Sequence, residues 1–293
     1  MGERTGISWT DATWNCWQGC HKVSAGCKNC YMFAEKSRYG QNPNIVVRSA
    51  TSTFNAPLKW AKNRAKYGHI NRVFVDSWSD FFIEEADPWR LEAWEIMRST
   101  PELTYQLCTK RPERIRECLP PDWHDGLPNV WLGVSTENQE MANLRIPILN
   151  QIPAIIHWAS AEPLLGPIDF REAHRSISRF PRLDWIVTGG ESGSNARPML
   201  SSWASSIRDQ CRAAGVAFFH KQNGEWVDFG NVEMSKLPEA PLAYIKSDGT
   251  PWPESAPLPS DEDADVNTCK RVGRNRAGHL LYGHEYHKFP DVR

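Results

Sequence analysis

The sequence predicts an α/β protein built on a parallel (β/α) barrel of the TIM type, partial or near-complete. Three observations support this fold class. The chain has 293 residues, which is long enough for one large barrel. Apolar runs alternate with helical segments, and polar or glycine residues follow each apolar run directly. We expect the barrel over residues 1–225 and a loop-rich C-terminal extension over residues 226–293.

Seven short apolar runs are the predicted strands. They lie at 7–9, 72–76, 104–108, 129–134, 154–158, 184–188 and 216–220. Helical patterns are found at 31–38, 88–98, 112–118, 141–150 and 203–214, whereas 42–66 is expected to be irregular. This alternation predicts a parallel sheet, and seven strands are one fewer than a closed barrel of eight contains.

A loop rich in cysteine follows the first predicted strand. Cys27 and Cys30 enclose two residues, a spacing that lets two thiolates turn toward one metal centre. Gly19 and Gly26 each precede a cysteine, where a loop that wraps a metal needs unusual backbone angles. Four of the eight cysteines lie in this loop of residues 16–30: Cys16, Cys20, Cys27 and Cys30.

Three interpretations of the cysteine loop remain open from the residues alone. A structural zinc site would use four closed ligands, either the four cysteines or three of them with His21. An iron–sulfur cluster also takes cysteine thiolates, and three protein ligands would leave one iron open to another molecule. The third interpretation is a set of buried, inert thiols.

The bulk composition is that of a soluble globular protein. Hydrophobic residues make up 40% of the chain and charged residues 24%, and the net charge of −1 excludes a basic field over the whole molecule. The N-terminus lacks an apolar core, so we expect no signal peptide, and no run approaches the ~20 apolar residues of a membrane span. We therefore expect a cytoplasmic protein with reduced thiols and no membrane partner.

The residues after the predicted strands are candidates for a site. In a parallel barrel all these positions lie on the C-terminal rim, where active sites are built. The alternative is ordinary capping and loop polarity. Three of the carboxylates, Glu137, Glu162 and Glu191, would also allow an interpretation as general bases in hydrolysis or group transfer. The candidates are Ser77, Asp80, Lys110, Ser135, Glu137, Glu162, Gly189, Gly190 and Glu191.

The C-terminal part of the chain differs in composition. Residues 233–265 carry six prolines and the acidic run Asp261, Glu262 and Asp263, which predicts a loop-rich insertion. A compact basic block follows, formed by Lys270, Arg271, Arg274 and Arg276. Together with Phe54 and Trp60 of the segment 54–64, which could stack exposed bases, this block makes nucleic acid a candidate partner.

Six longer strings identify a resemblance that covers nearly the whole chain. They are ISWTDATWN (7–15), GCHKVS (19–24), LCTKRPER (107–114), VWLGVS (130–135), SAEPLLGP (160–167) and GGESG (189–193). With these strings the chain resembles the phage Gp37/Gp68 family (DUF5131), whose pattern is related to radical S-adenosylmethionine (SAM) enzymes. If the chain is encoded by a phage, the expected location is the cytoplasm of the host cell.

The resemblance implies a site of three cysteines. Family members usually have proline at the position of Cys16, which makes Cys16 accessory, and the motif consists of Cys20, Cys27 and Cys30. These have six and then two residues between them, whereas radical SAM enzymes usually have three and then two. The resemblance implies a 4Fe-4S cluster on these cysteines, with SAM bound at the open iron.

The resemblance therefore favours a radical-SAM-like enzyme. Reduction by an external electron donor would convert SAM into a 5′-deoxyadenosyl radical that acts on an unknown substrate, with nucleic acid as one candidate. The strand-end candidates named above, from Ser77 to Glu191, would supply the polar groups that hold SAM. The alternative from another class is a zinc-stabilised nucleic-acid-binding protein without catalysis.

Overall fold

The structure is a computed structural model that describes residues 3–174, 180–232, 237–260 and 262–291. Its main element is a parallel sheet of seven strands, curled into a half-barrel. The strands are β1 (Ala12–Trp14), β4 (Arg72–Val75), β5 (Thr104–Thr109), β6 (Val130–Ser135), β7 (Ile156–Ala161), β8 (Trp185–Gly189) and β9 (Ala217–Gln222), in this spatial order. The α/β class and the parallel sheet are thus confirmed, and six of the seven strands lie where the sequence predicts them.

The first strand is the exception. It was expected at 7–9 but lies at β1, which pairs with β4. Residues 7–10 instead form a turn in which the Thr10 amide donates to the Ile7 carbonyl. Trp9 packs edge-on against Trp158 and Trp185, with ring centroids 5.4 and 5.9 Å away. The apolar character of this segment therefore reflects tertiary packing of Trp9 rather than strand pairing.

The helices follow the predicted pattern with one large difference. Four short elements lie in the 42–66 region that was expected to be irregular, so that prediction is wrong. The short amphipathic stretches of this region form helical turns, one of which has Pro57 near its start. The predicted helix at 112–118 is divided into a 3-10 turn (Pro112–Arg114) and α6. The helices are α1 (Tyr31–Arg38), α2 (Thr51–Phe54), α3 (Ala56–Lys62), α4 (Arg64–Tyr67), α5 (Asp87–Ser99), α6 (Ile115–Cys118), α7 (Gln139–Leu149), α8 (Ser201–Ala214) and α9 (Arg274–Ala277).

The two faces of the sheet form separate cores because side chains alternate along each strand. One face carries Leu107, Leu132 and Ile186 and packs against helix residues such as Trp94 and Ile207. The other, concave face forms a second cluster, which is dominated by aromatic rings. Gly133 is required there, since a Cβ at this position would lie 2.5 Å from the Trp158 indole. The concave cluster consists of Trp9, Trp131, Ile156, Trp158, Trp185, Val187, Ala217 and Phe219.

The C-terminal region adds a small sheet and a returning segment. The small antiparallel sheet has the order β10 (Trp226–Asp228), β12 (Val266–Arg271), β11 (Leu242–Lys246), so the extension that was expected to be rich in loops also contains three strands. The predicted acidic run begins at Asp261, which lies outside the described residues, as do 233–236. Residues 286–288 run beside β9, where the His220 amide donates to the Tyr286 carbonyl (2.8 Å). Phe289 then stacks on Trp185 at 5.4 Å and covers part of the concave cluster.

A short antiparallel pair supports the cysteine loop itself. Strand β2 (Trp17–Gln18) lies inside the loop and pairs with β3 (Val47–Arg48). Within the described residues, no helix has the length and apolar character needed to cross a membrane.

Candidate functional site

A cavity of about 550 Å³ opens at the carboxyl ends of the parallel strands. Its size lies within the range of about 300–1,000 Å³ that is usual for small-molecule sites. Three cysteines of the cysteine loop, Cys20, Cys27 and Cys30, line it. Seven of the nine strand-end candidates line the same cavity: Ser77, Asp80, Lys110, Ser135, Glu162, Gly190 and Glu191. The structure thus brings the cysteine motif and most of the predicted rim together.

The fourth cysteine of the loop has a different environment. Cys16 is fully buried in the core on the helix-covered face of the sheet and does not line the cavity. Its backbone amide donates to Oδ1 of Asp76 at 2.7 Å. Burial raises the pKa of the Cys16 thiol well above its ordinary value, and the nearby Asp76 adds to the rise. Cys16 is therefore held as a neutral thiol.

Cys108 lines the cavity although the sequence pattern did not single it out. It belongs to β5, and its Sγ lies 3.5 Å from Oγ of Ser135. Burial raises the pKa of the Cys108 thiol to about 11, whereas the charge of Lys110 opposes this rise. Alternation along β5 was the available signal, because it places Cys108 on the same side of the sheet as Lys110.

The first half of the cysteine loop is tied to the end of β4. The Gly19 amide donates to the Trp78 carbonyl at 3.0 Å, and Oγ of Ser79 donates to the Gly19 carbonyl. Gly19 has a φ of +106°, and a Cβ there would lie 2.2 Å from the Ile45 carbonyl oxygen. The unusual backbone angle that the sequence predicts for Gly19 is therefore confirmed.

The middle of the loop is held by Glu137, at the end of β6. Its side chain is fully buried and accepts hydrogen bonds from Oγ of Ser24 and from the Gly26 amide (3.1 Å). Nη1 of Arg145 donates to the other carboxylate oxygen at 2.8 Å. Although burial acts to raise the pKa of Glu137, Arg145 and Lys110 hold it below its ordinary value. Glu137 is thus an ionised anchor of the loop, and it is not among the residues that line the cavity.

Gly26 is needed for this anchor. It lies in a 3-10 turn (Ala25–Cys27) and has no positive φ, so the unusual backbone angle expected there is not found. A Cβ on Gly26 would lie 2.9 Å from the carboxyl carbon of Glu137. The absence of a side chain therefore allows Glu137 to approach the loop backbone.

A second carboxylate, Glu191, holds the loop from the end of β8. It accepts a hydrogen bond from Nδ2 of Asn29 at 2.9 Å, between the last two cysteines, and from Nε of Arg197 at 2.8 Å. Burial raises the pKa of Glu191, but its hydrogen bonds with Arg197 and Asn29 bring it below its ordinary value. The Glu191 carboxylate therefore makes its hydrogen bonds within the protein, although its side chain borders the cavity.

The two adjacent glycines were expected to let the backbone approach a ligand. A Cβ on Gly190 would instead lie 2.1 Å from the Asn223 carbonyl oxygen, so the close neighbour is the loop after β9. A Cβ on Gly189 would lie 3.3 Å from the Glu162 side chain, and Gly189 does not line the cavity. Close packing between neighbouring strand ends therefore explains both positions.

Arg111 connects the end of β5 to the first cysteine of the motif. Its Nη1 lies 3.7 Å from Sγ of Cys20 and 3.3 Å from Oδ2 of Asp80, and its Nη2 donates to the His21 carbonyl at 2.9 Å. Burial and Asp80 raise the pKa of the Cys20 thiol to about 11, and Arg111 opposes this rise. Asp80 is thereby fixed in an ion pair within the wall of the cavity.

Two lysines bring further positive charge to the cavity. Nζ of Lys110 donates to Oγ of Ser135 at 3.0 Å, whereas Lys221 forms an ion pair with Glu162. Burial opposes the charged form of Lys110, but the nearby Cys27 and Glu137 raise its pKa above the ordinary value. Lys110 is therefore a charged side chain whose hydrogen-bond partner is neutral.

The ligand sets that were considered for zinc are not assembled. Among the described residues, no group of three or more His, Cys, Asp or Glu side chains is arranged to hold a single metal ion. Nε2 of His21 lies 2.5 Å from Oε1 of Glu85, and Cys16 is in the core. Neither the four cysteines nor three of them with His21 therefore surround one point.

The aromatic residues predicted to stack nucleic-acid bases are buried. Phe54 and Trp60 are 0% and 1% exposed, so this prediction is wrong; the two rings belong to the core, and the Arg48 guanidinium covers Phe54 at 3.7 Å. The basic block, in contrast, lies close to the cavity. Arg274 lines it, and Nη2 of Arg271 donates to the Gly193 carbonyl at 3.0 Å.

Comparison with known proteins identifies one match. The model of a family described as "Protein of unknown function (DUF5131)" matches residues 4–290. Neither the curated proteins nor the solved structures contain a significant match to the chain.

Proposed function

We propose that the chain, which belongs to the DUF5131 family, is a radical-SAM-like enzyme whose Cys20, Cys27 and Cys30 hold a 4Fe-4S cluster. SAM would bind in the adjoining cavity. One observation carries the proposal: the three cysteines of the motif line one cavity with the polar strand ends, whereas Cys16 is sealed in the core. The radical-SAM-like character of the half-barrel is part of the same proposal.

The donor set suits an iron–sulfur cluster better than a single ion. A cluster attaches each cysteine to a different iron, so its ligands need not surround one point, as the ligands of zinc must. Three thiolates leave one iron for a cofactor. The positive charges of Arg111 beside Cys20 and Lys110 near Cys27 would stabilise the thiolate ligands and the negative charge of the site.

The chain's own residues have defined tasks in this proposal. Glu137 and Glu191 hold the cysteine loop over the strand ends, and Lys110, which lines the cavity, would bind the carboxylate of SAM. The aromatic residues of the concave face, including Trp158, exclude water from the inner wall. With one electron from an external donor, a bound 4Fe-4S cluster supplies the reductive cleavage of SAM into methionine and a 5′-deoxyadenosyl radical.

The other two interpretations receive less support. Zinc would require a ligand set that the described side chains do not form. General-base catalysis by the rim carboxylates loses two of its three candidates, because Glu137 and Glu191 are used to anchor the loop. The third, Glu162, is neutralised by Lys221.

Anaerobic purification with iron and sulfide analysis tests the cluster, and a 5′-deoxyadenosine assay after chemical reduction tests SAM cleavage. Cys27→Ala should lose the visible absorbance of the cluster. Cys16→Ala should retain it, and so should the matched control Cys108→Ala, because Cys108 shares the cavity but not the loop. A protein that binds one zinc and no iron would favour the zinc-stabilised nucleic-acid-binding alternative. A cluster that persists in Cys27→Ala would refute the ligand assignment.

A further inference from the structure

We propose that the substrate is a single-stranded nucleic acid, with its phosphates held by cations at the cavity mouth and one base directed into the cavity. The inference rests on the proposed function for the reaction, but not for binding. Two features of the cavity mouth carry it: a local excess of unpaired positive charge and a set of accessible aromatic rings.

The positive charge is concentrated in two segments of a chain whose net charge is −1. Residues 16–48 contain five Lys or Arg residues and one acidic residue. Residues 270–276 contain four Lys or Arg residues and no acidic residue. Four of these side chains are exposed and form no ion pair with a described residue: Lys22, Lys28, Arg274 and Arg276. Exposed cations without carboxylate partners are available for phosphate oxygens.

The two basic segments meet at one loop. Nδ2 of Asn29 donates to the Asn195 carbonyl at 2.7 Å, and Nη2 of Arg271 donates to the Gly193 carbonyl at 3.0 Å. Both segments therefore border the 190–195 loop, and Arg274 lines the cavity itself. Four exposed cations in two segments that meet at one loop suit several phosphates of a polymer better than the single phosphate of a small metabolite.

Aromatic rings lie among these cations. Tyr31, Phe33 and Trp78 line the cavity and are partly accessible, and Tyr31 is 55% exposed. The Tyr31 hydroxyl donates to the Ser77 carbonyl, which fixes its ring at the mouth, and Nζ of Lys22 lies 4.9 Å from the centre of the Phe33 ring. Cations interleaved with accessible rings are typical of surfaces that bind single strands, because the rings stack with bases and the cations follow the backbone.

The inner wall of the cavity favours a planar group that leaves the strand. Trp9, Phe74 and Trp158 line it below the polar strand ends. A base that is stacked and paired in a duplex cannot reach such a wall, whereas an unpaired base can enter at little cost. The shape therefore favours single strands over duplexes.

Fluorescence anisotropy with labelled oligonucleotides of about 16 nucleotides tests this inference. Single-stranded DNA, single-stranded RNA and a duplex are titrated with the anaerobic full-length protein at several salt concentrations, without SAM or reductant. Arg274→Gln/Arg276→Gln should lower the slope of log K against log salt by about 1.4, since each lost phosphate contact contributes about 0.7. The control, Arg171→Gln/Arg212→Gln, removes two exposed arginines that pair with Asp169 and Asp209 and do not line the cavity, so it should leave the slope unchanged.

The aromatic contribution has its own variant. Tyr31→Leu should weaken binding of single strands about fivefold or more, because stacking of one base contributes about 1–3 kcal/mol. Equal slopes in the two double variants, tighter binding of the duplex, or unchanged affinity in Tyr31→Leu would each overturn the inference. These titrations measure binding and not turnover. Salt-sensitive binding by a protein that lacks iron would therefore sustain the inference while refuting the proposed function. An iron–sulfur protein that does not bind nucleic acid would refute the inference and leave the proposed function standing.

Discussion

Nη1 of Arg111 lies 3.7 Å from Sγ of Cys20 and 3.3 Å from Oδ2 of Asp80, so one guanidinium joins the first cysteine of the motif to the end of β5. Arg111→Gln removes the guanidinium charge and leaves Cys20 beside the Asp80 carboxylate, which then lacks its ion-pair partner. We expect the variant to retain less iron after anaerobic reconstitution and gel filtration. Arg111→Lys should be intermediate, because a single ammonium cannot make all three contacts of the planar guanidinium.

Arg114→Gln is the matched control for Arg111→Gln. Arg114 is three residues further along the chain, pairs with Asp87 and is not among the residues that line the cavity. Equal iron retention in the Arg111 and Arg114 variants would contradict the role of Arg111.

The anchor formed by Glu137 gives a prediction about stability. Glu137→Gln leaves Arg145, which is 2% exposed, as a buried cation without its carboxylate. Breaking such a pair costs about 3–5 kcal/mol, so the free energy of unfolding in urea should fall by about that amount. The double variant Glu137→Gln/Arg145→Met should recover much of this loss, because the unpaired charge is gone.

Iron retention separates the two roles of Glu137. The double variant still lacks the Glu137 carboxylate charge that accepts hydrogen bonds from Ser24 and the Gly26 amide. Iron retention should therefore remain low although stability recovers. Gly26→Ala should have the same effect on iron from the opposite side of the contact, since its Cβ would displace the carboxylate. Full iron retention in Gly26→Ala would show that this anchor does not position the loop.

A buried histidine predicts how stability depends on pH. Burial, with the nearby charges of His279 and His287, lowers the pKa of His220 to about 4. Its ring is completely buried and hydrogen-bonded to Thr188 and Asn223. As the pH falls, His220 of the unfolded chain binds a proton near pH 6.5, whereas His220 of the folded chain binds one only near pH 4. The contribution of His220 is therefore fully present above pH 6.5 and is lost as the pH falls toward 4, by about 3 kcal/mol.

Urea unfolding at pH 7 and at pH 4.5 measures this contribution. His220→Gln should reduce the difference in unfolding free energy between the two pH values, whatever its effect at pH 7. His69→Gln, at an exposed histidine, is the control and should keep the full difference. An identical pH dependence in both variants would mean that His220 is not the group that titrates.

The sequence predicts the features that depend on local pattern. The strands β4 to β9 show as apolar runs, and the spacing of Cys27 and Cys30 identifies the loop. The contacts that organise the site join distant residues: Gly26 and Glu137 are 111 positions apart, Arg111 and Cys20 are 91, and Asn29 and Glu191 are 162. No periodicity shows such pairs. The sequence therefore places carboxylates on the rim correctly but does not reveal that two of them bind the loop.

The errors have the same physical origin. Trp9 and Trp60 both pack in the hydrophobic cores. From the sequence alone, each receives a local interpretation instead: Trp9 as part of a strand, and Trp60 as an exposed residue that stacks bases. An aromatic residue gives the same signal whether it is buried or accessible. Tyr31 illustrates the converse, since it belongs to a short helix but half of its surface remains exposed at the cavity mouth.

Lys110 provides the most direct test of the proposed SAM site. Of the cations that line the inner cavity, Arg111 is paired with Asp80 and Lys221 with Glu162, whereas Lys110 forms no ion pair with a described residue and donates to the neutral hydroxyl of Ser135. Lys110 can therefore bind the carboxylate of SAM without breaking an existing ion pair. A hydrogen bond to a charged group contributes about 1.5–3 kcal/mol, so Lys110→Met should weaken SAM binding about tenfold or more in anaerobic calorimetric titrations.

The matched control for Lys110→Met removes the other lysine together with its partner. Glu162→Gln/Lys221→Met takes an ion pair out of the cavity wall without changing the net charge, so SAM affinity should stay close to that of the unchanged chain. If the control weakens binding as much as Lys110→Met does, the effect is not specific to Lys110, and the assignment of the SAM carboxylate to Lys110 is wrong. If neither variant changes the affinity, SAM does not use these lysines, and the placement of its carboxylate beside β5 is wrong.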